Sequence, residues 1–111
     1  MSARSFRSEE WERLAIRARF QPVQMAGLCR VSPKQLQRIF NKAFQKTPTQ
    51  WIREFRCRLV LKLVAKGYTY KAIAAELHFA NETHLCHDFR KAYPESPRKI
   101  AFSALATEIR R

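Results

Sequence analysis

The sequence predicts an all-α fold of about seven helices, and three observations carry that reading. Glycine occurs only twice in 111 residues. Prolines 22, 33, 48, 94 and 97 stand where helices start or break, and no run alternates apolar and polar residues long enough to make a strand. Apolar residues instead recur at helical spacing, repeatedly behind a hydroxyl-proline pair that suits a helix start.

Taken in order, the elements begin after Ser8, whose hydroxyl is expected to cap a first helix. Glu9, Glu10 and Glu12 suit its positive end, and Trp11, Leu14, Ala15 and Ala18 form its apolar stripe. A short second helix carries Val23, Met25, Ala26 and Cys29. Ser32-Pro33 opens a third, expected to bury Leu36, Ile39, Phe40, Ala43 and Phe44, with Lys34, Gln37, Arg38 and Asn41 opposite. Thr47-Pro48 opens a long fourth helix with Ile52, Phe55, Leu59, Val60 and Leu63, ending near Gly67. Its length, at 1.5 Å per residue, is roughly 27 Å. Thr69 caps a helix with Ile73, Ala74 and Leu77, and Asn81 caps one with Leu85, Phe89 and Tyr93. Ser96-Pro97 starts a last helix through Ile100, Leu105 and Ile109.

The chain also matches itself. Phe40-Asn-Lys-Ala-Phe44-Gln-Lys-Thr47-Pro48 aligns with Phe89-Arg-Lys-Ala-Tyr93-Pro-Glu-Ser96-Pro97 at an offset of 49, and Ala26 to Val31 aligns with Ala74 to Phe79 at an offset of 48. Each copy reads as short helix, tight turn, capped amphipathic helix, so two helix-turn-helix units are expected with the long helix between them. The expected organisation is a flexible start over 1–8, a first unit over 9–47, a linker helix over 48–66, a second unit over 67–101, and a helix end or tail over 102–111.

Charge narrows the function. Lys and Arg number 22 against 9 Asp and Glu, a formal net charge of +13. Between Glu12 and Glu54 no acid occurs, while Arg13, Arg17, Arg19, Arg30, Lys34, Arg38, Lys42, Lys46 and Arg53 all fall there. Residues 55–75 add Arg56, Arg58, Lys62, Lys66 and Lys71, again without an acid. Over 76–95 the balance reverses, with Glu76, Glu82, Asp88 and Glu95 against Arg90 and Lys91. A foldable domain with this surplus repels itself, and a polyanion relieves that repulsion. The hydrophobic fraction of 46% excludes a disordered basic tail, and no run of about 20 apolar residues offers a membrane span. The Arg/Ser-bearing opening is followed at once by acids, unlike a transit peptide. Three scattered cysteines, Cys29, Cys57 and Cys86, suit reduced thiols in a cytoplasm. No GxSxG, P-loop or carboxylate pair suggests an enzyme. His84, Cys86 and His87 lack the spacing and the fourth ligand of a zinc site, so no metal or cofactor is expected.

Met25-Ala26 through Val31-Ser32, then Leu36, Arg38, Phe40 and Phe44, resembles the first helix-turn-helix of the DNA-binding domain of the AraC/XylS family of bacterial transcription regulators. Trp51-Ile52 with Arg56 is similar to the start of that family's linker helix. Ile73-Ala74, Phe79, Leu85, Phe89 and Ser96-Pro97 fall where its second motif has its fixed positions. The resemblance covers about residues 9–101 and is nearest to the free-standing members, without a sensor domain. It departs from the pattern where Arg30 and His78 stand for the glycines of the two turns, where Gln45 and Pro94 stand for glycines after the two reading helices, and where Ile100 replaces the closing aromatic. A left-handed Arg30 or His78 would cost roughly 1 kcal/mol or more.

On such a helix the residues opposite the buried face meet the DNA. Lys34, Gln35, Gln37, Arg38 and Asn41 are the base readers of the first motif, since arginine forks onto guanine O6/N7 and glutamine or asparagine onto adenine N6/N7. Ser32, Lys42, Lys46, Arg53, Lys71, Asn81, Arg90 and Lys91 form the phosphate set, which fixes register. Glu82, Thr83, His84 and His87 are the readers of the second motif, weakly cationic and with an acid that can accept from cytosine N4. Unequal halves are expected, the first motif supplying most of the affinity. With no dimerisation arm apparent, one monomer is expected to bind an asymmetric promoter site on double-stranded DNA, its two helices in adjacent major-groove segments. The resemblance implies contact with RNA polymerase, activation, and a place in the bacterial cytoplasm on the nucleoid; no small-molecule ligand is implied. Two alternatives share the fold: a protein-docking anti-activator, motivated by the altered turns, and a nonspecific nucleic-acid binder.

Overall fold

The computed structural model describes residues 6–109, with side chains described through Ser103. Among these residues it contains seven helices and no strand: α1 (Ser8–Arg17), α2 (Pro22–Leu28), α3 (Pro33–Phe44), α4 (Pro48–Ala65), α5 (Tyr70–Glu76), α6 (Glu82–Arg90) and α7 (Pro97–Ile109). The chain forms two compact units, Met1–Phe55 and Arg56–Arg111, so the division falls inside α4.

Capping explains most of the helix starts. Ser32 and Gln35 make a reciprocal box at α3, the Ser32 hydroxyl accepting from the Gln35 amide at 3.1 Å and the Gln35 side-chain oxygen from the Ser32 amide at 2.9 Å. Thr47 and Gln50 repeat the arrangement at α4. Thr69, Asn81 and Ser96 each accept from the amide three residues on, at α5, α6 and α7. One expectation is corrected: Ser8 is the first residue inside α1 rather than its cap, and Arg7 stands at the cap position with no side-chain hydrogen bond.

Four helices end in the same way. The amide of Phe20, Val31, Tyr68 or Phe79 reaches back to the carbonyl of Ala15, Ala26, Leu63 or Ala74, and the residue before each has positive φ. Only one of the four uses glycine, Gly67 at φ 91°; Arg19, Arg30 and His78 take φ 54°, 57° and 62°. The paired bonds of Val31 and Phe79 are the sequence repeat expressed in hydrogen bonds.

In the first unit the core is aromatic. The Trp11 ring stands edge-on to Phe6 at 5.1 Å and to Phe40 at 4.8 Å, and Trp51 packs edge-on to Phe40 at 5.3 Å and tilted against Phe55 at 5.5 Å. Met25, Ala26 and Leu36 are buried with them. The buried seams are narrower than the helical spacing predicts: Ala43 and Val23 are exposed, and Leu14, Ile39 and Phe44 are half-buried. Ile39 and Phe44 flank the Leu36–Phe40 seam, and Ala43 sits in the last turn of α3, past its last buried residue. The second unit buries Val60, Ile73, Ala74, Leu77, Phe79, Leu85, Phe89 and Ala101. Leu105 and Ile109 lie outside the residues whose side chains are described.

Candidate nucleic-acid interface

The interface candidates sit on the helix faces that the two cores leave outside. Along α3, Leu36 and Phe40 are anchored in the core, and this turns Lys34, Gln37, Arg38 and Asn41 outward as a stripe at i, i+3, i+4 and i+7. All four are exposed, Lys42 extends the charge, and α3 contains no acid. Gln35 is exposed too, but its side-chain oxygen serves the cap. The oxygen keeps a second lone pair and Nε2 its two protons, so Gln35 serves the cap while retaining an acceptor and donors on the exposed side. Ser32 accepts with its hydroxyl oxygen and keeps the proton to donate.

Two cations of the phosphate set are less free than expected. Lys46 forms an ion pair with Glu54 of α4, so its charge is already answered within the unit. Arg53 is half-buried and engaged within the fold.

Along α6, Leu85 and Phe89 are buried, and Glu82, Thr83, His84 and His87 are exposed. Asn81 accepts from the His84 amide at 2.8 Å, leaving its amide NH₂ to donate outward. His84 is partly committed to the turn: its Nδ1 accepts from the Ala80 amide at 3.1 Å, and its ring stands edge-on to Phe79. Only Nε2 remains for an outside partner. A shallow groove lined by Tyr70, Glu82, Thr83, Cys86, His87 and Arg90 runs along the exposed side of α6. Lys71, Arg90 and Lys91 are exposed.

Three of the four positions that lack the family's glycine keep the geometry that glycine serves. Arg30, His78 and Gln45 occupy the left-handed region, at φ 57°, 62° and 54°. Pro94 departs, since proline holds φ negative and α6 is left through Lys91 in right-handed conformation. The turns at Arg30 and His78 still deliver the chain to the capped helices α3 and α6.

Arg56 escaped sequence reasoning as a contact-forming residue. Although charged, it is 7% exposed. Its Nε and Nη2 both donate to the Leu77 carbonyl, at 3.0 and 2.8 Å, and its guanidinium carbon lies 3.7 Å from the Phe79 ring centre. Burial holds its pKa below the ordinary arginine value, with the Asp88 charge opposing that shift in part. The signal was available: Ile52, Arg56 and Val60 are spaced i, i+4, i+8, so a cation interrupts an apolar seam.

With two capped helix-turn-helix units described, comparison with known proteins is decisive at the level of family. The family model described as Helix-turn-helix domain, of AraC type, matches residues 25–101, well over half of the chain. The chain belongs to the AraC-type helix-turn-helix family. Neither a curated protein nor a solved structure gives a match. Membership makes this AraC-type protein a DNA-binding transcription regulator, a class of regulatory domains rather than enzymes. No helix among its described residues is long and apolar enough to cross a membrane.

Proposed function

We propose that this AraC-type protein binds double-stranded DNA sequence-specifically as a monomer, with α3 as the principal reading helix and α6 as a second, weaker one. The single observation that carries the reading is the α3 stripe. Lys34, Gln37, Arg38 and Asn41 share one exposed face of a capped, acid-free helix held from behind by Leu36 and Phe40. These side chains can discriminate base edges at about 1–3 kcal/mol per good bidentate pair. Lys42, Ser32, Lys71, Asn81, Arg90 and Lys91 contact phosphates, and Lys46 and Arg53 contribute less. Glu82, Thr83, His87 and the Nε2 of His84 read the second half of the site.

Two chemically different reading helices in one chain call for an asymmetric operator. The resemblance to the AraC/XylS family points to promoter binding, contact with RNA polymerase and activation on the bacterial nucleoid. The anti-activator alternative rested on the altered turns, and the left-handed geometry at Arg30, His78 and Gln45 favours DNA reading over it.

The experiment is titration of the whole chain against random-sequence and genomic duplex pools at two salt concentrations. Enrichment of particular sequences that survives the higher salt is the expected result. Binding that vanishes with salt and leaves no enrichment would establish the nonspecific binder instead, because phosphate contacts alone weaken steeply with salt. No DNA binding at either salt would favour protein docking.

A further inference from the structure

Arg56 occupies a place that an apolar residue would fill at less cost in desolvation, so its function must lie in what the guanidinium holds. Leu77 is the residue at which α5 ends, and its carbonyl belongs to the helix's partly negative terminus. Two N–H groups of one side chain converge on that oxygen, and the flat face of the same group covers Phe79 in the turn that follows. Phe79 in turn meets the His84 ring of α6 edge-on at 5.4 Å, and its amide closes α5 on Ala74 at 2.9 Å. A single side chain thus touches the end of α5 and the turn, and reaches α6 through one ring. The first motif offers no such surface, because Val31 stands where the second has Phe79.

We propose that Arg56 is the positioning residue of the second helix-turn-helix, fixing the α5 end and the turn so that α6 is presented in one orientation. The consequence for DNA rests on the reading of α6 as the second recognition helix; the consequence for the turn does not. Lysine cannot replace arginine here, since an ammonium offers neither a two-pronged donor nor a planar face.

The test is amide hydrogen exchange on the whole chain, comparing the native protein with Arg56→Lys and, because that variant risks general destabilisation, with Phe79→Leu, which keeps the arginine and its carbonyl bonds. The Phe79 and His84 amides are expected to exchange roughly tenfold faster or more in Arg56→Lys, and the Val31 amide of the first motif to change by less than about twofold. Phe79→Leu should move the same amides in the same direction by less. Equal acceleration in both motifs, or none, overturns the proposal. The second measurement is discrimination between the selected duplex and single base-pair variants of it. A ratio of affinities does not depend on the folded fraction, so a merely structural role leaves it unchanged. Arg56→Lys should flatten discrimination at the positions that respond to His87→Ala and preserve it at those that respond to Arg38→Ala. Preserved discrimination at both sets overturns the proposal. A native protein with no sequence preference would instead overturn the reading of α6, leaving the positioning role to stand or fall on exchange.

Discussion

At Arg30 the backbone has φ 57° and at Gln45 φ 54°, where the Cβ of an L residue crowds the neighbouring carbonyl oxygen at about 1–2 kcal/mol per residue. Gly67, at φ 91°, avoids that cost, and a Cβ built there meets nothing within 4 Å. The two sites therefore predict opposite outcomes in urea unfolding. Arg30→Gly should stabilise the protein by up to about 1 kcal/mol, and Gly67→Ala should destabilise it by about 1 kcal/mol through backbone conformation alone. A destabilising Arg30→Gly would mean that the arginine side chain makes up for its backbone. Sequence made the strained turns at Arg30 and His78 visible because glycine is the ordinary residue there. It left Arg19 and Phe20 unseen, two consecutive left-handed residues after α1 with no glycine to mark the place.

Between the two helices proposed to read DNA, the difference is one of charge and commitment. α3 presents Lys34, Arg38 and Lys42 without an acid, while α6 presents Glu82 beside its histidines and lends His84 to its own turn. Arg38→Ala and His87→Ala should accordingly differ in binding loss, measured on one selected duplex, by more than about 1 kcal/mol, the arginine costing more. Equal losses would contradict the unequal division. The elements themselves were legible, because a hydroxyl-proline start followed by helical spacing leaves few alternatives; α3 and α4 begin at Pro33 and Pro48 as that pattern requires. Side-chain partners were less so. Gln35 suits both a capping box and a base edge, and only the structure shows its oxygen accepting from the Ser32 amide. Glu54 reaches Lys46 across a helix start eight residues away, a meeting that no periodicity encodes.

For the molecule as a whole, the net charge of +13 bears on affinity, whereas the proposed role of the exposed α3 stripe bears on specificity. The chain divides within α4, between Phe55, which packs on Trp51 and Phe20, and Arg56, which binds Leu77. Composition could not place that division, because an apolar helix seam reads alike on either side of it. The proposal that base reading resides in α3 is tested by the preference at each position of the selected site, measured for the native chain and for Arg38→Ala at one fixed salt concentration. Preference for guanine should collapse at one or two adjacent positions, by about 1–3 kcal/mol, while the other positions keep theirs. Uniform weakening at every position, with all preferences intact, would reduce Arg38 to a phosphate contact and contradict it.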